Sequence, residues 1–569
     1  MLTNSVAAGV LGAAYLTVLV LQLNPQVPIV SLTTWRWFLT LAMFYGVHLA
    51  VLFYVLMVAR EFFSLDVLSP GWVSVRVLAW LAATVAGIAA LLMWLNVRGF
   101  GVSLDPVAAR RMLVGSIATG LSAVVLLAIA IAHYSSGRRG GRVGAALFTI
   151  AVVGSLALPT AARGPAVEVP GRSYPVHLAT RPARPPSPRV VVLLFDGASL
   201  EYIWTRAADG RLPHFARLIE TGAEIDLATI RPTQPDPVWA AALTGMYPSK
   251  SGVRSAAAYY ALGDDRPIDL LPDHCFSHAL VSLGIVRDIP NSSSAWHSRP
   301  LWSILGDAGV SVGIVRWPLT YPAQPVLGFL VADRFHDLIG SALEFDRAAY
   351  PADVVPVARA SFSSEPDAVR PEEDGSTVED PASLRDRSYS RAMQLLRQQW
   401  NPQVVGLRYQ SLDQVGHRFW SAAQPRSAGD PSEEQRRQAA QILERAYLAA
   451  DAEVGGALAS LEPDDLLLVI SGFGMQRLNP LKQMFGEITG ERDISGTHER
   501  APDGFLLAHG RAVERGRRPR GSIVDITPTI LYYLGLPVGR DMDGFARSDL
   551  FTHAFTAERP IAFIPTHNR

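Results

Sequence analysis

Cysteine is nearly absent: the 569 residues contain one, Cys275. A single thiol excludes an intramolecular disulfide and any cysteine-built zinc site, so a bound metal must sit on histidine and carboxylate. Net charge is absent as well, with 51 basic and 51 acidic side chains. No overall field draws the chain to a polyanion, and no nucleic-acid partner is expected. Apolar residues are abundant, at 49% of the chain. That share is high for a soluble protein, and the length exceeds one average domain.

The excess is concentrated at the start. Five apolar stretches, about 5–23, 37–59, 77–95, 112–132 and 143–162, each approach the roughly 20 residues needed to cross a hydrocarbon core of ~30 Å. Residues 1–163 are therefore expected to form a transmembrane helix bundle in the lipid bilayer. Five spans put the remaining chain on the opposite side from the N-terminus. Loop arginines point both ways: Arg60, Arg76, Arg138, Arg139 and Arg142 lie on one side, and Arg36, Arg98, Arg110, Arg111, Arg163 and Arg172 on the other. The tight cluster SSGRRGGR favours a cytoplasmic loop at 135–142, hence an extracytoplasmic soluble part.

The Pro-rich run 164–188 reads as a linker. From 189 to 569, strand-like runs alternate with helical patterns: RVVVLLFDG, LPHFARLIETGA, VSVGIVRWP, VVGLRYQSLD, a long helix near 433–460, and DLLLVISGFG. Continuous β-branched runs separated by helices predict an α/β domain with a mostly parallel central sheet covered on both faces. A charged, Pro-containing stretch near 360–386 reads as an acidic surface insertion.

Ligands of open parallel sheets sit beyond the carboxyl ends of the strands. Four polar groups stand there: Asp196 after VVVLLF, Asp413 and His417 after VVGLRYQSL, Ser471-Gly472 after DLLLVI, and His498 in the loop SGTHERAPDG before FLLAH. Taken singly each has an ordinary explanation, since a strand-end aspartate often caps the next helix and a loop histidine is usually just solvated. Asp413 and His417, four residues apart, share one face if the segment is helical.

The pieces occur in a telling order: the opening strand with Asp196-Gly197, then LTGMYPSKSGV, GIVRWPLTYPAQPVLGFLVADRF, DQVGHRFW, His498, and DITPTILYYLGLPVGRDMDG. In this the chain resembles the alkaline phosphatase superfamily, and within it the type I phosphodiesterase/nucleotide pyrophosphatase branch, over most of 189–550. The five-span anchor is similar to that of phosphoethanolamine and lipoteichoic-acid transferases. The resemblance implies a phosphoester-containing ligand and two zinc-type ions, one activating a Thr or Ser nucleophile and the other holding a phosphoryl oxygen. It assigns Asp413, His417 and His498 to one ion. The second ion would take the strand-end aspartate, the nucleophile oxygen and the Asp-His pair of an S-D-H-G-M motif.

This chain keeps Asp196 but reads Ser471-Gly472-Phe473-Gly474-Met475, so both side-chain ligands are lost at Gly472 and Phe473. In RPTQPDPVWAAALTG the nucleophile position falls on Pro235, with Thr233 and Asp236 as the neighbouring substitutes. An orphaned Asp196 would be costly to bury, and a backbone amide or an arginine is expected to pair with it. The expected function is that of a pseudoenzyme with a binding or regulatory role, holding one divalent metal, zinc, on Asp413, His417 and His498. The alternatives are a relic triad without metal, and a single-metal phosphoester or phosphodiester hydrolase or headgroup transferase that uses a metal-bound water. No motif names a protein partner.

Overall fold

The computed structural model describes residues 2–64, 75–135, 141–167, 188–340, 345–363, 380–424, 432–479, 482–483, 495–500 and 502–568. Most of the expected linker (168–187) and the middle of the expected insertion (364–379) lie outside these residues. The chain forms two compact units, one made of Met1–Gly171 with Ala257–Pro290, the other of Arg172–Ala256 with Asn291–Arg569.

The first unit holds α1 (Leu2–Leu23), α2 (Leu32–Leu41), α3 (Val47–Ser64), α4 (Val75–Gly99), α5 (Pro106–Ser135) and α6 (Gly141–Arg163). One π-helical turn, Ala42–Gly46, joins α2 to α3. By length and composition five helices can cross a membrane: Leu2–Leu23, Leu32–Ala59, Val77–Gly99, Pro106–Ala132 and Val143–Arg163. Close helix contact is made where side chains are smallest. A Cβ on Gly9 would come within 2.2 Å of the Gly46 carbonyl oxygen, so backbones approach here as small residues allow in apolar bundles.

The excursion Ala257–Pro290 was not expected from the sequence, which assigned all of 189–569 to one domain. It contains an antiparallel pair, Ala257–Tyr260 with Arg287–Pro290. Its Tyr259, Ile268, Leu270, Leu271, Leu280 and Val286 share a core with Leu19, Leu23, Trp37, Leu41, Met93 and Phe100 of the helices. Two asparagine side chains act as peptide surrogates along it. Asn24 donates to the Leu270 carbonyl at 2.8 Å and accepts from the amides of Asp269 and Leu270; Asn96 donates to the Asp273 carbonyl and accepts from its amide. Both asparagines are fully buried, and their amides supply these backbone groups with what a neighbouring strand would.

The second unit is built on a ten-stranded sheet. Its strands are β1 (Val190–Phe195), β2 (Ala223–Ala228), β3 (Val312–Val315), β4 (Gly328–Val331), β5 (Ala349–Tyr350), β6 (Val404–Tyr409), β7 (Leu466–Phe473), β8 (Asp503–His509), β9 (Gly516–Arg517) and β10 (Gly521–Ser522). The order is β9-β2-β8-β7-β1-β6-β3-β4-β5, with β10 also on β2. β1 lies parallel between β6 and β7, and β8 runs antiparallel to both β7 and β2.

Alternate residues of β1 enter different cores, which explains its unbroken apolar run. Val190, Val192 and Leu194 pack with α9 (Pro235–Thr244), while Val191, Leu193 and Phe195 pack with α7 (Leu200–Ala208) and α8 (Pro213–Thr221). Farther along the chain, α10 (Leu301–Asp307) joins the first face, and α11 (Pro381–Trp400), α12 (Ser411–Phe419) and α13 (Glu433–Ala459) join the second. The site residues fall where β1, β6 and β7 end.

Candidate metal centre

β6 ends at Tyr409 and the chain turns directly into α12. The start of α12 is held from outside, because Asp386 of α11 accepts the backbone amides of Gln410 at 3.1 Å and Ser411 at 2.9 Å. Those amides have no intrahelical acceptor, so a carboxylate there both satisfies them and suits the helix dipole. Asp386 is in turn paired with Arg316, a fully buried side chain whose guanidinium lies 4.6 Å from the Tyr389 ring centre.

Within α12 the four-residue spacing brings Asp413 Oδ2 to 3.7 Å from His417 Nε2. His498 arrives from the loop before β8, and one donor atom from each of the three residues lies within 4.8 Å of the others. Both imidazoles are oriented from behind. His417 Nδ1 is 2.9 Å from the Gly496 carbonyl oxygen, and His498 Nδ1 is 3.1 Å from that of Thr233. A carbonyl only accepts, so each Nδ1 carries the proton and each Nε2 keeps its lone pair. Asp413 Oδ1 is buried and has no hydrogen-bond partner among the described residues. Burial pushes the Asp413 carboxyl up, with the two histidines opposing that rise. A buried carboxylate with one oxygen unpartnered and the other facing an imidazole lone pair, with a second imidazole close by, fits a divalent ion of the zinc type.

The neighbouring half of the site is closed. Asp196, fully buried at the end of β1, accepts Arg408 Nε at 3.0 Å and Trp239 Nε1 at 2.7 Å on one oxygen, and Arg408 Nη2 at 2.6 Å on the other. An arginine thus supplies the positive charge at the strand-end aspartate. Gly472 has little room for a side chain, since a Cβ there would meet Val238 Cγ1 at 2.5 Å. The Phe473 ring is fully buried, 4.9 Å from the His498 ring centre and 6.5 Å from that of Trp239.

The two halves touch through Gly197, whose φ of +67° is left-handed and whose Cβ position lies 2.8 Å from Asp413 Oδ1. Only glycine meets both demands. Pro235 opens α9 at its first turn, where its missing amide costs nothing. Thr233 is buried with its hydroxyl unpartnered among the described residues. Asp236, in the same first turn, is pushed up to about 7 by burial, with Arg408 and Arg334 opposing and Asp333 and Asp196 adding to the shift.

The sequence reading missed Arg408, Trp239 and the Asp386–Arg316 pair as site residues. Arg408 had left a signal, because a charge inside the apolar run VVGLRY must find a buried partner.

A family model described as "Type I phosphodiesterase / nucleotide pyrophosphatase" matches residues 190–516, more than half of the chain. No curated protein matches. Among solved structures, murine ectonucleotide pyrophosphatase/phosphodiesterase 5, an inactive variant in complex with AMP, aligns at 14% identity with a TM-score of 0.38, covering 64% of this chain and 100% of that one.

Proposed function

Since the chain belongs to the type I phosphodiesterase/nucleotide pyrophosphatase family, we propose that it is a membrane-anchored member whose second cation position has been taken over by Arg408, leaving a one-ion site that binds a phosphoester ligand without ordinary two-ion turnover. The observation that carries this reading is the saturation of Asp196 by the Arg408 fork and the Trp239 indole. A carboxylate already bidentate to guanidinium has no reason to bind a second ion. Gly472, Phe473 and Pro235 supply no donor to replace it.

Asp413, His417 and His498 would hold the remaining ion, which when bound would draw a phosphoryl oxygen and lower the pKa of water. The Gly496 and Thr233 carbonyls fix the tautomers of the two histidines, and Asp386 fixes the helix that carries Asp413 and His417. The soluble domain is assigned to the extracytoplasmic side on the Arg138, Arg139 and Arg142 cluster. The role that follows is binding or regulation.

A second reading, a single-ion phosphoester hydrolase or headgroup transferase, is favoured by two groups in the segment that leads into and opens α9, where the Thr233 carbonyl orients His498. The Thr233 hydroxyl has no partner among the described residues. Asp236, held near 7, can take or give a proton at neutral pH.

Metal analysis of the full chain, purified in detergent, tests the first reading. About one equivalent of zinc is expected, lost in His417→Ala and His498→Ala. Two equivalents would sink the one-ion assignment, and none would leave the triad a relic. Turnover of aryl phosphate mono- or diesters that disappears in Asp236→Asn would favour the second reading.

A further inference from the structure

The excursion Ala257–Pro290 packs onto the helical unit, yet some of its apolar side chains face outward. Leu262 is 65% exposed and Phe276 55%. Both stand beside anchors to the span Leu32–Ala59. Two residues from Leu262, Asp264 pairs with Arg36 at 3.1 Å. Next to Phe276, the Cys275 carbonyl accepts the Tyr45 hydroxyl at 2.7 Å. The same span shows an outward stripe of Leu32, Trp35, Leu39 and Met43, with Trp35 61% and Met43 68% exposed. The spacing of that stripe is helical, so it is one continuous apolar face.

The loop tip is strained. His274 and Phe276 have φ of +65° and +57°, a region that residues with bulky side chains rarely enter. In water, more than half of the phenyl ring would stay hydrated. Beside lipid, the exposed part of the ring would leave water for the acyl boundary. Asp273, His274 and His278 flank the tip with polar groups that suit the headgroup layer.

We propose that the excursion is an interfacial membrane element: Leu262 and Phe276 insert at the headgroup–acyl boundary of the bilayer crossed by the adjacent span. The partner is lipid, argued from continuity with the outward stripe of Leu32–Ala59. The membrane contact of this protein is thereby built from residues far apart in the chain.

Spin-label accessibility in the full chain, reconstituted in phosphatidylcholine nanodiscs, decides the matter. The lone cysteine makes labelling simple: Cys275→Ser is combined in turn with Leu262→Cys, Phe276→Cys and, as a control on α13, Leu448→Cys, whose native side chain is 41% exposed. Leu262→Cys and Phe276→Cys are expected to favour collision with oxygen over a nickel chelate several-fold, with Leu448→Cys the reverse. Either excursion site behaving like the control overturns the proposal. Shielding from both reagents also overturns it, since a protein partner would then cover the loop. A readout on the unaltered chain guards against misfolded variants: a lipid with an acyl-chain diazirine should crosslink to peptides containing Leu262 and Phe276, and adducts confined to the helices would count against insertion.

Discussion

Arg408 is the residue on which the proposed one-ion site turns. Its guanidinium and Asp196 are both buried, and a buried pair is damaged most by removing one member. Arg408→Met should lower stability by about 3–5 kcal/mol, because the buried Asp196 would lose its ion-pair partner. The double variant Arg408→Met/Asp196→Leu should recover much of that loss, and thermal melting of both proteins checks it. Asp236 gives a pH signature. Its carboxyl is raised from 3.8 to about 7 in the folded chain, so between those values the folded state holds a proton that the unfolded state has released. The stabilisation is fully present at low pH and disappears as pH rises through about 7. The wild type should therefore lose more melting temperature than Asp236→Asn between about pH 5 and about pH 8; equal losses would remove Asp236 as the titrating group.

At the scale of elements, α12 is placed by a carboxylate that belongs to α11. Asp386 satisfies two amides at the helix start, those of Gln410 and Ser411 just before the candidate ligand Asp413, and its charge also balances the buried Arg316. Asp386→Asn should weaken metal binding on the order of 10-fold, as loss of outer-shell support does. Competition with a fluorescent chelator measures it, and unchanged affinity would show that α12 holds its position unaided. Much of this layer was legible in the sequence. β1, β3, β6 and β7 lie where apolar runs predicted strands, because burial on both faces leaves a continuous signal. The four-residue step from Asp413 to His417 was equally direct. His498 was not readable from spacing, since 81 residues separate it from His417. Arg408 and Asp386 were missed because their partners come from other elements. The cramped space at Gly472 was also invisible, although restoring an aspartate there would force Val238 to move.

At the scale of the whole molecule, the expected boundary near 164–188 omitted the return of the chain at Ala257–Pro290. That segment gives no local sign of leaving the domain, since the helical residues it shares a core with, such as Leu23 and Met93, lie far earlier in the chain. Asn24→Leu combined with Asn96→Leu should free it, because each asparagine satisfies buried peptide groups at about 1–3 kcal/mol per unmet bond. Limited proteolysis should then cut within 257–290 faster than in the wild type, and an unchanged pattern would show that apolar packing alone suffices. The chain thus passes between its two compact units three times, at 171–172, 256–257 and 290–291. Evolution cannot exchange the N-terminal third as an interchangeable cassette: a foreign bundle would arrive without the asparagines at positions 24 and 96, and the returning segment would be left with an unmatched apolar underside. The two parts must be inherited together.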